Sequence, residues 1–458
     1  MILGLGPVLS SENIIIEGAK NAEKLGQNHL CYIGPFPQFV TGDPQTLKDI
    51  LTSKLCLYKG DITYTGINNS FGRGILTMQG PVWQAHRKLM DVGFKYSKIV
   101  GYLPIFHKKT KRLFEQMDKC HVMKSSYDIL VYFREFTINV TGETLLGRDF
   151  DRSTTVDVKN RAQKITRVLN YVTKITYNPI YRNSILLKVA HLTVFKEERQ
   201  MFDYLGSVID EAFKYHESDS QNDPEYVNDD TILAAQVQED IKNNLIEREL
   251  ATTTMIHIFG AAFETTSSTF YFIIIMLAMY PEYQAKAFAE ISAIFPDNDD
   301  GEFEVAYEDI SRLTYLDMFI KETMRLFATI PHFGRLVVGG DLQLSNGIVI
   351  PEGLEIIVNV YNTHHNKDVW GPEADKFNPD NFLPCNIEKR HPYAFIPFSK
   401  GVRSCIGMRY ADLVLRVVVA KIIKRYRFST TAKLEDLEVH NHISIQLSKY
   451  PPLTVERR

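Results

Sequence analysis

The sequence predicts a mainly α fold with small β-sheets, of α+β character, in a single domain over residues 1–458. Three observations carry that expectation. Long stretches show helical periodicity, Asn346-Gly347 is a strong hairpin signal, and no linker or shift of composition divides the chain. Residues 31–40 are apolar, aromatic and punctuated by Gly34, Pro35 and Pro37, as short strands would be. Asp43-Pro44 then opens a helical stretch over 45–55. Residues 83–117 read as helical and amphipathic, with Pro104 expected to kink or split them. The polar segment 215–230 should be a surface loop. A long helical region follows over about 230–280 and stops at Pro281, and another helix covers 311–328 before Pro331. Alternation around Asn346-Gly347 predicts strands within 334–360. A Pro- and Gly-rich loop over 362–407 leads into a last helix, 408–426.

Composition narrows the function. The 458 residues carry 52 Lys+Arg against 55 Asp+Glu, a net charge of −3, which excludes a nucleic-acid binder driven by bulk basic charge. Abundant aromatics (27 Phe, 23 Tyr) suit large apolar cores and pockets. The cysteines Cys31, Cys56, Cys120, Cys385 and Cys405 are widely spaced with no CxxC pair, so neither a disulfide framework nor a structural zinc site is expected. That usage suits a reducing, cytosol-facing environment. The longest apolar run, 270–280, has 11 residues against the ~20 needed to cross a bilayer. The first twenty residues have too short an apolar stretch and too weak a basic flank for a signal peptide. As read, the chain is expected to be soluble or peripheral.

Chemistry concentrates at Phe398-Ser399-Lys400-Gly401-Val402-Arg403-Ser404-Cys405-Ile406-Gly407. A cysteine in a Gly-flanked loop, directly before a helix and near an arginine, has the setting that lowers a thiol pKa. Gly401 and Gly407 permit backbone shapes that a Cβ would block. A lone cysteine is more often an inert buried side chain. The whole pattern is more specific than its parts. It resembles the FxxGxRxCxG signature of the cytochrome P450 superfamily, matched at Phe398, Gly401, Arg403, Cys405 and Gly407. The resemblance implies that Cys405 is the axial thiolate on haem iron.

Other segments extend the resemblance from about residue 31 to the C-terminus. Glu322 and Arg325 share a helix face at i and i+3, which alone would suggest a weak surface pair. In the family, ExxR is a buried pair behind the haem. The segment 377–382 (FNPDNF) resembles the loop that closes on it, with Asn381 where an arginine is usual, so this member must bond as a neutral group. Trp83 and Arg87 match WxxxR, and with Arg335 and Arg403 are implied to reach the haem propionates. Gly260-Ala261-Ala262-Phe263-Glu264-Thr265-Thr266 resembles the oxygen-activation motif, with Ala262 in place of the usual second glycine. By resemblance Glu264 and Thr265 relay protons to dioxygen. Ala261 stands where many relatives of the fatty-acid branch carry a glutamate that esterifies a haem methyl, and its methyl group cannot. Haem b is therefore expected without covalent attachment.

Phe71-Gly72-Arg73-Gly74-Ile75-Leu76, Gly80, Trp83 and His86-Arg87-Lys88 resemble the family-four branch of long-chain fatty-acid omega-hydroxylases and their microsomal insect relatives. The function implied is monooxygenation of an apolar substrate (a fatty acid, a hormone-like lipid or a xenobiotic), with electrons from NADPH. No flavin or nicotinamide domain fits in the sequence, so the resemblance implies NADPH–cytochrome P450 reductase as partner, with cytochrome b5 as an optional second donor. Arg87, Lys88, Lys400 and Arg409 form the expected docking patch for an acidic partner. Relatives reside at the cytosolic face of the endoplasmic reticulum membrane through an N-terminal anchor absent from these residues, so contact with the membrane surface through apolar segments is expected. Two rivals stay open: a haem-thiolate isomerase or dehydratase, against which Glu264-Thr265 counts, and a haem-binding protein without turnover.

Overall fold

The computed structural model of the protein describes residues 14–33, 35–119, 122–123, 125–149, 184–217, 232–296, 303–441 and 443–458, with 167–168, 171–172, 175 and 181 between them. Helices dominate and the sheets are small, as the periodicity predicts. The central element is the 32-residue helix Arg248–Met279. Its apolar residues fall on all sides, and Phe270 to Leu277 are at most 1% exposed. A helix apolar all round belongs in the centre of a large core rather than on its surface. Phe270 stacks on Phe133 of the neighbouring helix Tyr127–Thr141 at 5.0 Å, and Phe272 stacks on Phe327 at 4.3 Å. Each such side chain contributes roughly 1.5–3 kcal/mol through burial. This helix has the length and hydropathy of a membrane span, yet 83% of its most apolar window is buried within the protein. Pro281 ends it by disfavouring helical backbone at Tyr280, which sits at φ −123°, ψ 75°.

The helical region expected over 230–280 is two helices, Leu233–Lys242 and Arg248–Met279. Asn244 between them has φ 54°, a left-handed stop that asparagine tolerates. The expected stretch 83–117 is likewise divided, into Gly80–Asp91, Val92–Phe94, Tyr96–Gly101 and Leu103–Met117. Pro104 lies in the first turn of the last piece, where its missing N–H costs nothing. Residues 215–217 close the helix Lys196–Glu217 rather than open a loop, and 218–231 lie outside the described residues.

The two ends of the sequence meet in one mixed sheet. Asn28–Ile33 pairs antiparallel with Phe36–Thr41, which runs parallel to Glu355–Asn359, itself antiparallel to His332–Leu336. The Asn346-Gly347 turn joins Leu342–Gln343 to Val349–Ile350, with Gly347 at φ +85°. Sequence reading missed the C-terminal strands Tyr426–Ser429 and Leu453–Arg457, which pair with each other. They are short, and no Asn-Gly or Asp-Gly turn announces them. The helix Thr314–Leu326 and the last helix Met408–Arg425 pack beside the long helix in the main core.

Candidate active site

The Cys405 loop is built by backbone bonds. Cys405 N–H donates to the Phe398 carbonyl at 2.9 Å and Ser404 N–H to that of Gly401 at 3.1 Å. Gly401 sits at φ +77°, and a Cβ there would overlap the Leu51 carbonyl, so glycine is required twice over. Gly407 precedes the first turn of the last helix. Burial pushes the Cys405 thiol pKa up, while the Gly407 N–H and the Arg87 charge pull it back. The side chain is nonetheless accessible. Burial pushes Cys31 up to about 11 with nothing to oppose it, and pushes Cys56 up to about 11 against the Arg335 charge and the Ser53 hydroxyl.

Cations converge beside this loop. Arg87 donates to the Ser404 carbonyl at 2.7 Å and to Asp91 at 2.7 Å. Arg403 donates to the carbonyls of Leu57 and Met78 at 2.9 and 2.6 Å, and its guanidinium lies 3.9 Å over the Trp83 ring. Trp83 therefore orients Arg403 from the helix that also carries Arg87. Arg335, 2% exposed, bonds the Gly334 carbonyl at 2.9 Å and rests over Phe333. Lys59, 7% exposed, donates to the Tyr64 hydroxyl at 2.8 Å. Burial, then Arg335 and Arg403, drive the Lys59 pKa well below the usual lysine value. Burial and then Arg335 lower Arg403 to about 9, and burial lowers Arg335. The groups acting on these three cations are each other, Arg87, Tyr64 and Cys56, with no carboxylate among them. Like charges packed in low dielectric call for an anion. Sequence reading missed Lys59 and Tyr64, because a lysine before a helix is ordinarily solvated and nothing local marks this one.

On the long helix, residues 254–278 are buried except Gly260, Ala261, Ala262 and Thr265. Ala261, Ala262 and Thr265 share one face, and a Cβ added at Gly260 would meet open space. Thr265 donates its hydroxyl to the Ala261 carbonyl at 2.7 Å, leaving its oxygen as an acceptor. Glu264 points elsewhere. Its carboxylate, 3% exposed, pairs with Arg134 at 3.1 Å and accepts from Ser444 at 2.8 Å and Gln446 at 3.3 Å. Burial pulls the Arg134 pKa down, but the charge and hydrogen bond of Glu264, with Tyr450 and Tyr127, together raise it. Consecutive helical residues diverge by about 100°, so the acid and the alcohol do not share a face.

Glu322 and Arg325 are both fully buried and form a bidentate pair at 2.7 Å for each contact. Arg325 also donates to the carbonyls of His364, Ala374 and Lys376. Asn381 bonds Glu322 through its amide at 3.1 Å, as a neutral group must. Arg390 restores a cation nearby: it donates to the Asn381 carbonyl at 2.9 Å and feels the Glu322 charge. Of the four basic residues expected to form a docking patch, Lys88 and Arg409 are exposed. Arg87 is engaged as above, and Lys400 is half-buried with its ammonium on the Pro392 carbonyl.

An accessible sulfur, buried cations on which no carboxylate among the described residues acts, and a small-residue face on a buried helix fit haem, whose iron takes a thiolate and whose propionates are a dianion. Residues 1–453 match the Cytochrome P450 family. The chain is 32% identical to "Probable cytochrome P450 313a4" of Drosophila melanogaster, over 100% of this chain and 92% of that protein. It is 33% identical to "Probable cytochrome P450 313a2" of the same organism, over 95% and 87%, and 26% identical to "Probable cytochrome P450 4ac1", over 97% and 86%. The family-four branch expected from the Phe71–Leu76 segment is thus the less similar of the two groups. With its haem b cofactor held without a covalent bond, the chain belongs to the cytochrome P450 family of haem-thiolate monooxygenases.

Proposed function

We propose that this protein inserts one oxygen atom of O2 into an apolar small molecule, consuming two electrons and two protons and releasing water. The observation that carries this reading is the accessible Cys405 sulfur beside a buried cluster of cations. Cys405 holds the iron as thiolate, with the Gly407 N–H and Arg87 favouring its charge. Phe398, Gly401 and Gly407 shape its loop. Arg335, Arg403, Arg87 and Lys59 bind the propionates, and Trp83 holds Arg403 in place. Haem, when bound, supplies the oxygen-activating redox chemistry. Ala261, Ala262 and Thr265 form the wall against which substrate rests. Thr265 moves the proton directly, and Glu264 stands behind it, because its carboxylate reaches the Thr265 hydroxyl only by leaving Arg134. Glu322, Arg325 and Asn381 fix the scaffold.

Electrons come from a flavoprotein reductase fed by NADPH, docking through the exposed Lys88 and Arg409, the latter next to the exposed apolar Met408 in sequence. Cytochrome b5 is a second donor. The helix Ser184–Leu192 exposes Ile185, Leu186, Val189 and Leu192, an apolar face suited to the cytosolic surface of the endoplasmic reticulum membrane. The substrate class belongs with insect lipids and xenobiotics, and the 26% identity to the 4ac1 protein supports kinship with the family-four branch. Thr265→Val tests the reading. With purified reductase, NADPH consumption should persist while product per NADPH falls by one to two orders of magnitude and peroxide rises, the loss of one positioned proton donor. Unchanged product per NADPH would contradict it. The engaged state of Glu264 favours one rival, a haem-thiolate isomerase, which would turn over without NADPH.

A further inference from the structure

The face of the long helix that carries Ala261 and Thr265 continues one turn earlier to His257 and on to Thr254. His257 is 6% exposed and Thr254 is fully buried. Among the described residues neither ring nitrogen of His257, nor the Thr254 hydroxyl oxygen, has a hydrogen bond of good geometry, although the Gly72 backbone lies near enough to act on the ring. Buried polar atoms are rarely left so, and each needs an account. The ring is held in place: Phe71 meets it edge-on at 5.8 Å and itself packs on Phe202 at 4.4 Å. Gly74 lies against its other side, where an added Cβ would come within 2.5 Å of Nδ1. Residues 71–74 therefore fold over the imidazole and fix its direction. Burial lowers its pKa to about 4, against the weaker pull of the Gly72 backbone. A neutral imidazole offers one N–H donor and one lone pair.

We propose that His257, with the Thr254 hydroxyl behind it, binds a neutral oxygen of the substrate, such as a hydroxyl or ketone. The remainder of the molecule is apolar and runs along the helix toward Ala261 and Thr265. At 1.5 Å per residue, the bound oxygen lies about 6 Å along the axis from Ala261 and about 12 Å from Thr265. That is the length of a medium alkyl chain or a small terpenoid skeleton. A carboxylate is disfavoured at this end, because no charged group among the described residues acts on the His257 ring to serve as counter-ion to a buried anion. The inference deepens the monooxygenase reading and rests on it for the position of substrate. Its test requires no turnover.

The ferric, haem-loaded protein should be titrated with 1-decanol, 2-decanone, decane and decanoate, following the low-spin to high-spin change of the Soret band. The wild type should bind decanol and decanone about tenfold more tightly than decane or decanoate, the worth of one good hydrogen bond. His257→Phe should remove that preference while keeping decane affinity, and His257→Asn should retain part of it. Thr254→Val offers a milder variant if His257→Phe does not fold, with a loss of about threefold for decanol alone. Equal binding of decane and decanol, tighter binding of decanoate, no spectral change with any probe, or a preference that survives both His257→Phe and Thr254→Val would overturn the proposal. Failure to form product with reductase would count against the monooxygenase reading and leave these affinities unaffected.

Discussion

Arg325 and Arg335 stand ten residues apart in sequence, both are buried to within 2%, and their surroundings are opposite. Arg325 is answered inside the chain by the Glu322 carboxylate and three backbone carbonyls. Arg335 has one carbonyl, an aromatic face and two neighbouring cations, Lys59 and Arg403. A buried charge answered within the fold serves the fold. A buried charge that meets other cations and no carboxylate among the described residues suits an anionic ligand, because desolvation and repulsion both weigh against the protein alone. The contrast separates scaffold from cofactor site without reference to the cysteine.

Substitutions should separate the two regions by sign. Glu322→Gln leaves Arg325 buried without its counter-charge and should cost about 3–5 kcal/mol of stability, with or without haem. Thermal unfolding of both forms measures this, and a loss confined to the haem-loaded form would erase the distinction. Arg335→Met should do the reverse. The haem-free protein should be unchanged or more stable, while haem transfer to apomyoglobin should speed up by roughly 10- to 100-fold, as expected for losing one charge-assisted bond.

Lys59→Met sharpens the comparison through pH. Burial lowers the folded-state pKa of Lys59 below its unfolded value. The unfolded chain then binds the extra proton, so the cost of Lys59 to the haem-free fold is full below the folded pKa and vanishes as pH rises to the ordinary lysine value. The stabilisation of haem-free protein by Lys59→Met should therefore be full below the folded-state pKa of Lys59 and shrink as pH rises toward the ordinary lysine value. A gain independent of pH would mean that Lys59 is not a buried cation. The smallest effect belongs to the surface. Lys88→Glu with Arg409→Glu should slow reduction of the iron several-fold at low ionic strength and little at high salt. Lys400→Glu should act through its loop instead, since its ammonium is held by Pro392.

What could be read from sequence follows the range of each interaction. The Cys405 loop was legible as a motif because its phenylalanine, glycines, arginine and cysteine fall within ten consecutive residues. The Glu322–Arg325 pair was legible as helical spacing, and Asn381 as a neutral partner, but Arg390 was not, because nothing local ties it to Asn381. Lys59 stayed hidden for a similar reason: the cations that give it meaning arrive from 276 and 344 residues downstream. Glu264 shows the opposite case. Adjacency suggested a pair with Thr265, yet helix geometry turns it 100° away, toward an arginine 130 residues upstream. Long helices were found, with the break at Pro104 and the stop at Pro281, but the break at Asn244 was not, since it stops a helix through a left-handed backbone rather than a proline or glycine.

The central claim is that Cys405 is the thiolate that holds the iron, in a site completed by the cations around Arg335. Its most direct measurement is the absorption spectrum of the dithionite-reduced carbon-monoxide complex of the Cys405→Ser protein. The account predicts loss of the red-shifted thiolate band, with the band retained in Cys31→Ser and Cys56→Ser. A thiolate band that persists in Cys405→Ser, or that disappears in either of the other two folded variants, would contradict it.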